Sequence, residues 1–92
     1  MAVMLAEYDE PVVSDGIAYR ALVYGARLDA NLWEGWIAFV PADGGPTRRT
    51  SRETTQPNLT DTEYWATGLT HVYLEGALVR ALELAATSPA ER

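Results

Sequence analysis

His71 is the only histidine in the sequence, and Thr70 before it reads as the cap of a helix that begins there. A helix N-terminus disfavours an imidazolium, so His71 would be held neutral and able to take up a proton. Glu63 and Glu75 are the carboxylates that could assist it. A nucleophile is harder to find, because the chain has no cysteine and no serine in a nucleophile-elbow setting. The favoured reading of His71 is therefore a surface or partner-contact residue. Glu75 and Glu83 lie eight positions apart, about 12 Å along a helix axis, too far for one acid–base or metal site. Arg80 and Glu83, at i and i+3, can pair on the helix surface.

A second group could bind rather than catalyse. Arg48, Arg49 and Arg52 are three of the seven basic residues, all of which are arginine. Guanidinium suits bidentate contact with carboxylate or phosphate. In a regular strand Arg48 and Arg52 point to one face and Arg49 to the other. They form either an anion or acidic-partner patch, or a solvent-facing edge strand paired with Glu34, Glu53 or other carboxylates. The segment Trp33-Glu34-Gly35-Trp36 places two indoles on opposite faces of one strand. A single helix can cover one of them; a loop, a ligand or a second chain must cover the other. Asp43-Gly44-Gly45 lacks the strand-to-helix context of a phosphate loop and reads as a tight turn.

Composition narrows the chemistry further. The 92 residues contain no cysteine and no lysine, which removes disulfides, thiolate metal sites, thiol nucleophiles and Schiff-base lysines. One histidine cannot build a multi-histidine metal site. With 13 acidic residues against 7 basic, the net charge is −6. That argues against non-specific nucleic-acid binding, which needs a basic footprint, and is compatible with a basic protein partner. Hydrophobic residues make up 48% of the chain, enough for one modest core. The apolar stretch Ala2 to Ala6 lacks a basic flank and is too short for a signal peptide or a membrane span, so a soluble cytoplasmic protein is the expectation.

The elements that must position these groups follow from periodicity. Asp15-Gly16 is a turn, with Val12-Val13 before it a short strand or part of an arm over 1–14. Ile17 to Leu28 alternates as a strand with one core face, and Asp29-Ala30-Asn31 makes a hairpin loop. Leu32 to Val40 is apolar on both sides and reads as a central strand. Gly35 within it marks a bulge or close packing by a neighbouring ring. After Pro41 and the turn at 43–46, Thr47 to Gln56 reads as an exposed edge strand. Thr60 and Glu63 match a capping box for a helix from Asp61 to Ala66. Gly68 interrupts or kinks the chain, and a second helix runs from His71 to about Ala86, ended by Ser88-Pro89 with residues 88–92 frayed. Leu74, Leu78, Ala81, Leu82 and Ala85 share one face of that helix. The extra apolar positions around it call for a curled sheet or a second subunit.

Tyr19 to Tyr24, a short loop, and Gly35-Trp36-Ile37-Ala38-Phe39-Val40-Pro41 resemble the opening hairpin of the HicB-like antitoxin domain. The resemblance covers Tyr19 to Leu84 in topology and Gly35 to Pro41 in motif. It implies a domain that dimerises and masks a partner protein. The sequence departs from that family after Pro41, where Ala42-Asp43-Gly44-Gly45 replaces the usual Asp-Leu-Pro-Gly. The connection Pro57 to Thr70 is also longer, and the residues that follow the helix here are too few for a helix-turn-helix or ribbon-helix-helix, so no DNA-binding extension is expected.

Together these readings predict a single α+β domain over residues 1–92. Its core is a three-stranded antiparallel meander with a C-terminal helix packed on one face. The expected role is non-catalytic protein interaction: self-association, most simply as a homodimer, and binding of a basic partner. The candidate surface comprises Trp33, Trp36, Arg48, Arg49, Arg52 and Tyr73. The rival readings are a small-molecule or anion site built on the aromatics and the Arg strand, and an enzyme that depends on His71. No cofactor or metal is expected.

Overall fold

The computed structural model describes residues 1–87; the expected frayed tail at 88–92 lies outside them. The fold is α+β: an antiparallel sheet with two helices on one face. Strands β1 (Ala2–Ser14), β2 (Ile17–Asp29) and β3 (Leu32–Pro41) form the long meander. Two short strands, β4 (Arg48–Arg49) and β5 (Thr54–Gln56), share the free edge of β3. Helices α1 (Leu59–Thr67) and α2 (His71–Thr87) follow. No helix among the described residues is long and apolar enough to cross a membrane.

The first strand is far longer than the two-residue Val12-Val13 element expected. Its middle carries Glu7, Asp9, Glu10 and Pro11, so its sequence lacks the alternation of a half-buried strand. Pairing with β2 makes it a strand nonetheless, with register shifts between Met4 and Ala6 and between Tyr8 and Val12. The β1–β2 turn is tight because Asp15 and Gly16 both adopt positive φ, 51° and 75°. That is the left-handed geometry which matches the twist of a two-residue hairpin.

The expected single strand from Thr47 to Gln56 is two pieces, and Thr50 between them is buried. Arg48 and Arg49 oppose Phe39 and Ala38, whereas Thr54 opposes Gly35, so the four residues 50–53 span only Trp36 and Ile37 on β3. Thr50 holds this wide bulge closed. Its N–H donates to the Ile37 carbonyl at 2.9 Å, and its Oγ1 accepts from the Ile37 N–H at 3.1 Å. The side chain thus replaces a missing ladder carbonyl, which explains why a threonine here is 1% exposed. The chain rejoins β3 when the Glu53 N–H donates to the Gly35 carbonyl.

The helices are two, separated at Gly68, which caps α1 and donates to the Trp65 carbonyl. Asn58, not Thr60, is the N-cap of α1: its side chain accepts from the Asp61 N–H at 2.8 Å. The helix therefore starts two residues before the expected Asp61 and runs one residue past the expected Ala66. An Asn that follows Pro57 is free to take the extended φ/ψ of a cap, whereas Thr60 already lies within the first turn. Thr70 caps α2 as expected, its Oγ1 accepting from the Tyr73 N–H. The Tyr8 hydroxyl pins the corner between the helices, donating to the Ala66 carbonyl at 2.6 Å and accepting from the Leu69 N–H at 3.0 Å.

The core lies between the helices and one face of the sheet. Val12, Tyr19, Ala21, Val23, Ile37 and Phe39 meet Ala66, Leu74, Ala77, Leu78 and Ala81. Gly35 lies at the closest approach: a Cβ there would be 2.5 Å from the Trp65 ring, so the indole sits on bare backbone. This is the ring packing that Gly35 implied, with Trp65 as the ring.

Candidate functional site

The opposite face of the sheet carries no helix. Alternation along β2 and β3 points nine residues that way: Ala18, Arg20, Leu22, Tyr24 and Ala26, then Glu34, Trp36, Ala38 and Val40. Only two of the nine are charged, so this is not the polar outer face that a solvated antiparallel sheet normally shows. Met4 and Glu7 extend it along β1, opposite Tyr24 and Leu22. Arg49 extends it along β4, opposite Ala38.

At the centre lies a three-part stack. The Tyr24 and Trp36 rings are 6.2 Å apart and 17° from parallel. The Arg49 guanidinium sits 4.4 Å above the Trp36 ring, and its Nε donates to the Thr50 carbonyl at 3.0 Å. Trp36 is only 9% exposed as a result. The second indole thus receives much of its cover from its own chain. What stays open is the surrounding strip: Met4 at 53%, Val13 at 63%, and the half-buried Leu22, Tyr24, Ala26 and Val40. Ion pairs border the strip, Arg20 to Glu7 at 3.0 Å and Arg52 to Glu34 at 3.2 Å.

The six residues singled out from the sequence do not form one patch. Trp36 and Arg49 touch. Arg52 lies beside them through Glu34, which shares the helix-free face. Arg48 opposes Phe39 and so lies on the helix side. The expectation that Arg48 and Arg52 share a face therefore fails, because Arg52 lies inside the bulge, where four residues oppose two and strict alternation is lost. Trp33 is half-buried near the β2–β3 hairpin, across from Arg27 and Gln56. Tyr73 belongs to α2, on the other side of the sheet.

Tyr73 takes part in a cluster that pattern reading missed. Its hydroxyl donates to Glu53 Oε1, and Arg80 grips the same carboxylate through Nη2 at 2.6 Å and Nε at 3.3 Å. The Glu53 side chain is 9% exposed. Burial, reinforced by the Glu53 carboxylate, pushes the Tyr73 hydroxyl up to about 12, and the hydrogen bond to Glu53 raises Arg80. The cluster ties α2 to the bulge. Its members come from positions 53, 73 and 80, so only the tertiary fold could reveal it. All three side chains are satisfied by one another, which suits a fastening better than a reactive centre.

His71 faces two carboxylates, Glu10 Oε1 at 3.6 Å from Nδ1 and Glu75 Oε2 at 3.4 Å from Nε2. They lie at opposite nitrogens of the ring and do not converge on a point. Among the described residues, no group of three or more His, Asp or Glu side chains could hold a metal ion. A cleft of about 200 Å³ lies at the turn end of the helix-free face, lined by Pro11, Ala18, Tyr19, Arg20, Val40, Pro41 and Ala42. It is smaller than the roughly 300 Å³ at which ligand pockets begin. Its one charged residue is already paired with Glu7. The pocket expected between Trp36, Tyr24 and the Arg strand is occupied by contact among those side chains themselves.

No protein-family model, curated protein or solved structure matches the chain.

Proposed function

We propose that the chain is a non-catalytic protein-interaction domain that receives another protein on the helix-free face of its sheet. The observation that carries this reading is the composition of that face. Seven of its nine outward positions on β2 and β3 are apolar or aromatic, where a face evolved only for water would be polar. Ion-paired arginines at its border supply a polar rim around an apolar centre, the usual anatomy of a recognition surface.

The anion-binding alternative is less well supported. Arg52 is paired with Glu34 and Arg20 with Glu7, and Arg48 lies on the other side of the sheet, so Arg49 is left without a second arginine to converge on a small anion. A His71-dependent enzyme lacks a partner nucleophile hydrogen-bonded to the ring among the described residues. The net charge of −6 fits a further, basic partner elsewhere on the surface. The carboxylates Glu10 and Glu75, at the edge where β1 meets α2, would steer it towards the domain. Masking of such a partner, the role implied by the HicB-like resemblance, is one form of this activity.

Leu22→Glu tests the reading by placing a charge in the middle of the face without touching the core. In native cell extract the wild-type chain should run in an assembly larger than its own mass, and Leu22→Glu should run alone. If both run at the chain mass, the reading fails. If a basic partner is isolated, raising the salt should slow its association, and insensitivity to salt would remove the electrostatic component.

A further inference from the structure

We infer that the occupant of the helix-free face is a second copy of this chain, packed face to face about a two-fold axis that runs parallel to the strands between β2 and β3. The inference rests on the reading of that face as a protein-binding surface and names what it binds.

Charge argues first. The chain carries −6, so most pairings of its surface bring like charges together. The helix-free face differs, with Arg20, Arg49 and Arg52 set among Glu7 and Glu34. Here the charges nearly balance, three arginines against two glutamates, and two copies can approach with little repulsion.

Register argues second. Glu7 opposes Leu22, Leu22 opposes Ala38, and Ala38 opposes Arg49, so these four residues form one row across the sheet. A two-fold axis parallel to the strands reverses such a row end to end. It lays Glu7 of each copy over Arg49 of the other, and Leu22 over Ala38, small against large. Arg49 uses Nε on the Thr50 carbonyl, which leaves its other donors for a carboxylate. Isologous pairing gives this match twice.

Area argues third. Three neighbouring strands over about ten residues, with the two-residue β4 beside them, present roughly 500 Å² on each copy, from the usual strand spacing and rise. Two copies then bury about 1,000 Å², the size at which a specific interface begins. The molecule is only 19 Å thick against 39 by 32 Å, a plate with one covered side. Stacking two plates gives a helix–sheet–sheet–helix sandwich with both sheets enclosed.

The test is a charge swap between copies. Light scattering on the purified chain at high micromolar concentration should give twice the chain mass. Glu7→Arg and Arg49→Glu, both at exposed positions, should each run as monomers while keeping the wild-type circular dichroism. An equimolar mixture of the two variants should return to twice the chain mass, because the mixed dimer restores Glu–Arg opposition at both ends. Rescue on mixing cannot arise from contacts within one chain. Should either variant lose its fold, Leu22→Glu replaces it and should raise the dissociation constant at least about 100-fold by burying an unpaired carboxylate against Ala38 of the other copy. A monomeric wild type, variants that stay dimeric, or a mixture that stays monomeric overturns the inference. A wild type that is monomeric when pure yet joins a larger assembly in extract overturns the second copy alone and leaves the proposed function standing.

Discussion

The two faces of the sheet are built from the same strands, residue by alternate residue, yet they solve burial differently. The helix side is filled by side chains that come from far along the chain: Ile37 and Phe39 meet Leu74 and Leu78. The open side is covered by its own neighbours, with Tyr24, Trp36 and Arg49 leaning on one another. One face gains its stability from exclusion of water across a layer, the other from lateral contact within a layer. A face of the second kind stays available to another molecule, which is why the functional proposal falls there.

That contrast is most easily broken at the core. Phe39→Ala should cost about 3–5 kcal/mol in urea denaturation, because the side chain is fully buried beneath the helices. Val40→Ala, one residue away on the open face, should cost less than about 1.5 kcal/mol in the same measurement. Measured at a concentration where the chain is monomeric, equal costs would mean that Val40 is buried within the single chain.

The fastening of α2 comes next. Glu53→Gln removes the charge that Arg80 and Tyr73 share, and should cost about 2 kcal/mol. The Tyr73 hydroxyl adds a pH signature. Its value is raised from 10.0 to about 12 in the folded state, so the fold holds this proton more tightly than the unfolded chain does. The resulting stability is fully present below pH 10 and is lost as the pH climbs towards 12. Tyr73→Phe should flatten that part of the pH–stability curve, and an unchanged slope would show that Tyr73 does not contribute to it.

Gly35→Ala probes the closest point between sheet and helix. The added methyl meets the Trp65 ring and Thr54 Cγ2, and a shift of α1 should cost about 1–3 kcal/mol. A change in tryptophan emission should accompany it. The smallest effect is expected from Arg49→Ala, about 0.5–1 kcal/mol for a partly exposed cation over an indole. Its informative readout is acrylamide quenching, which should rise as Trp36 loses its lid.

How much of this was legible in advance varies with the range of the interaction. The two long strands, the Asp15-Gly16 turn, the break at Gly68 and the Thr70 cap were readable because each depends on a few adjacent residues. The length of β1 was not, since a strand with acidic residues at Glu7, Asp9 and Glu10 is made by its pairing partner rather than by its own pattern. The face of Arg52 was misjudged because strict alternation does not anticipate a bulge that Thr50 stabilises from inside. Trp33 and Trp36 were correctly set on opposite faces, but the cover over Trp36 comes from Arg49, thirteen residues away.

By itself, then, the sequence determined the chemistry that is absent, the acidic balance and the class of fold. Composition and period are properties of the chain that no packing can alter. Only the tertiary structure decided which residues share a surface. The Glu53–Tyr73–Arg80 fastening, the Tyr24–Trp36–Arg49 stack and the row from Glu7 to Arg49 each join residues from different elements. Such groupings depend on register and on one wide bulge, and a shift of a single residue in either would send every side chain of a strand to the opposite face.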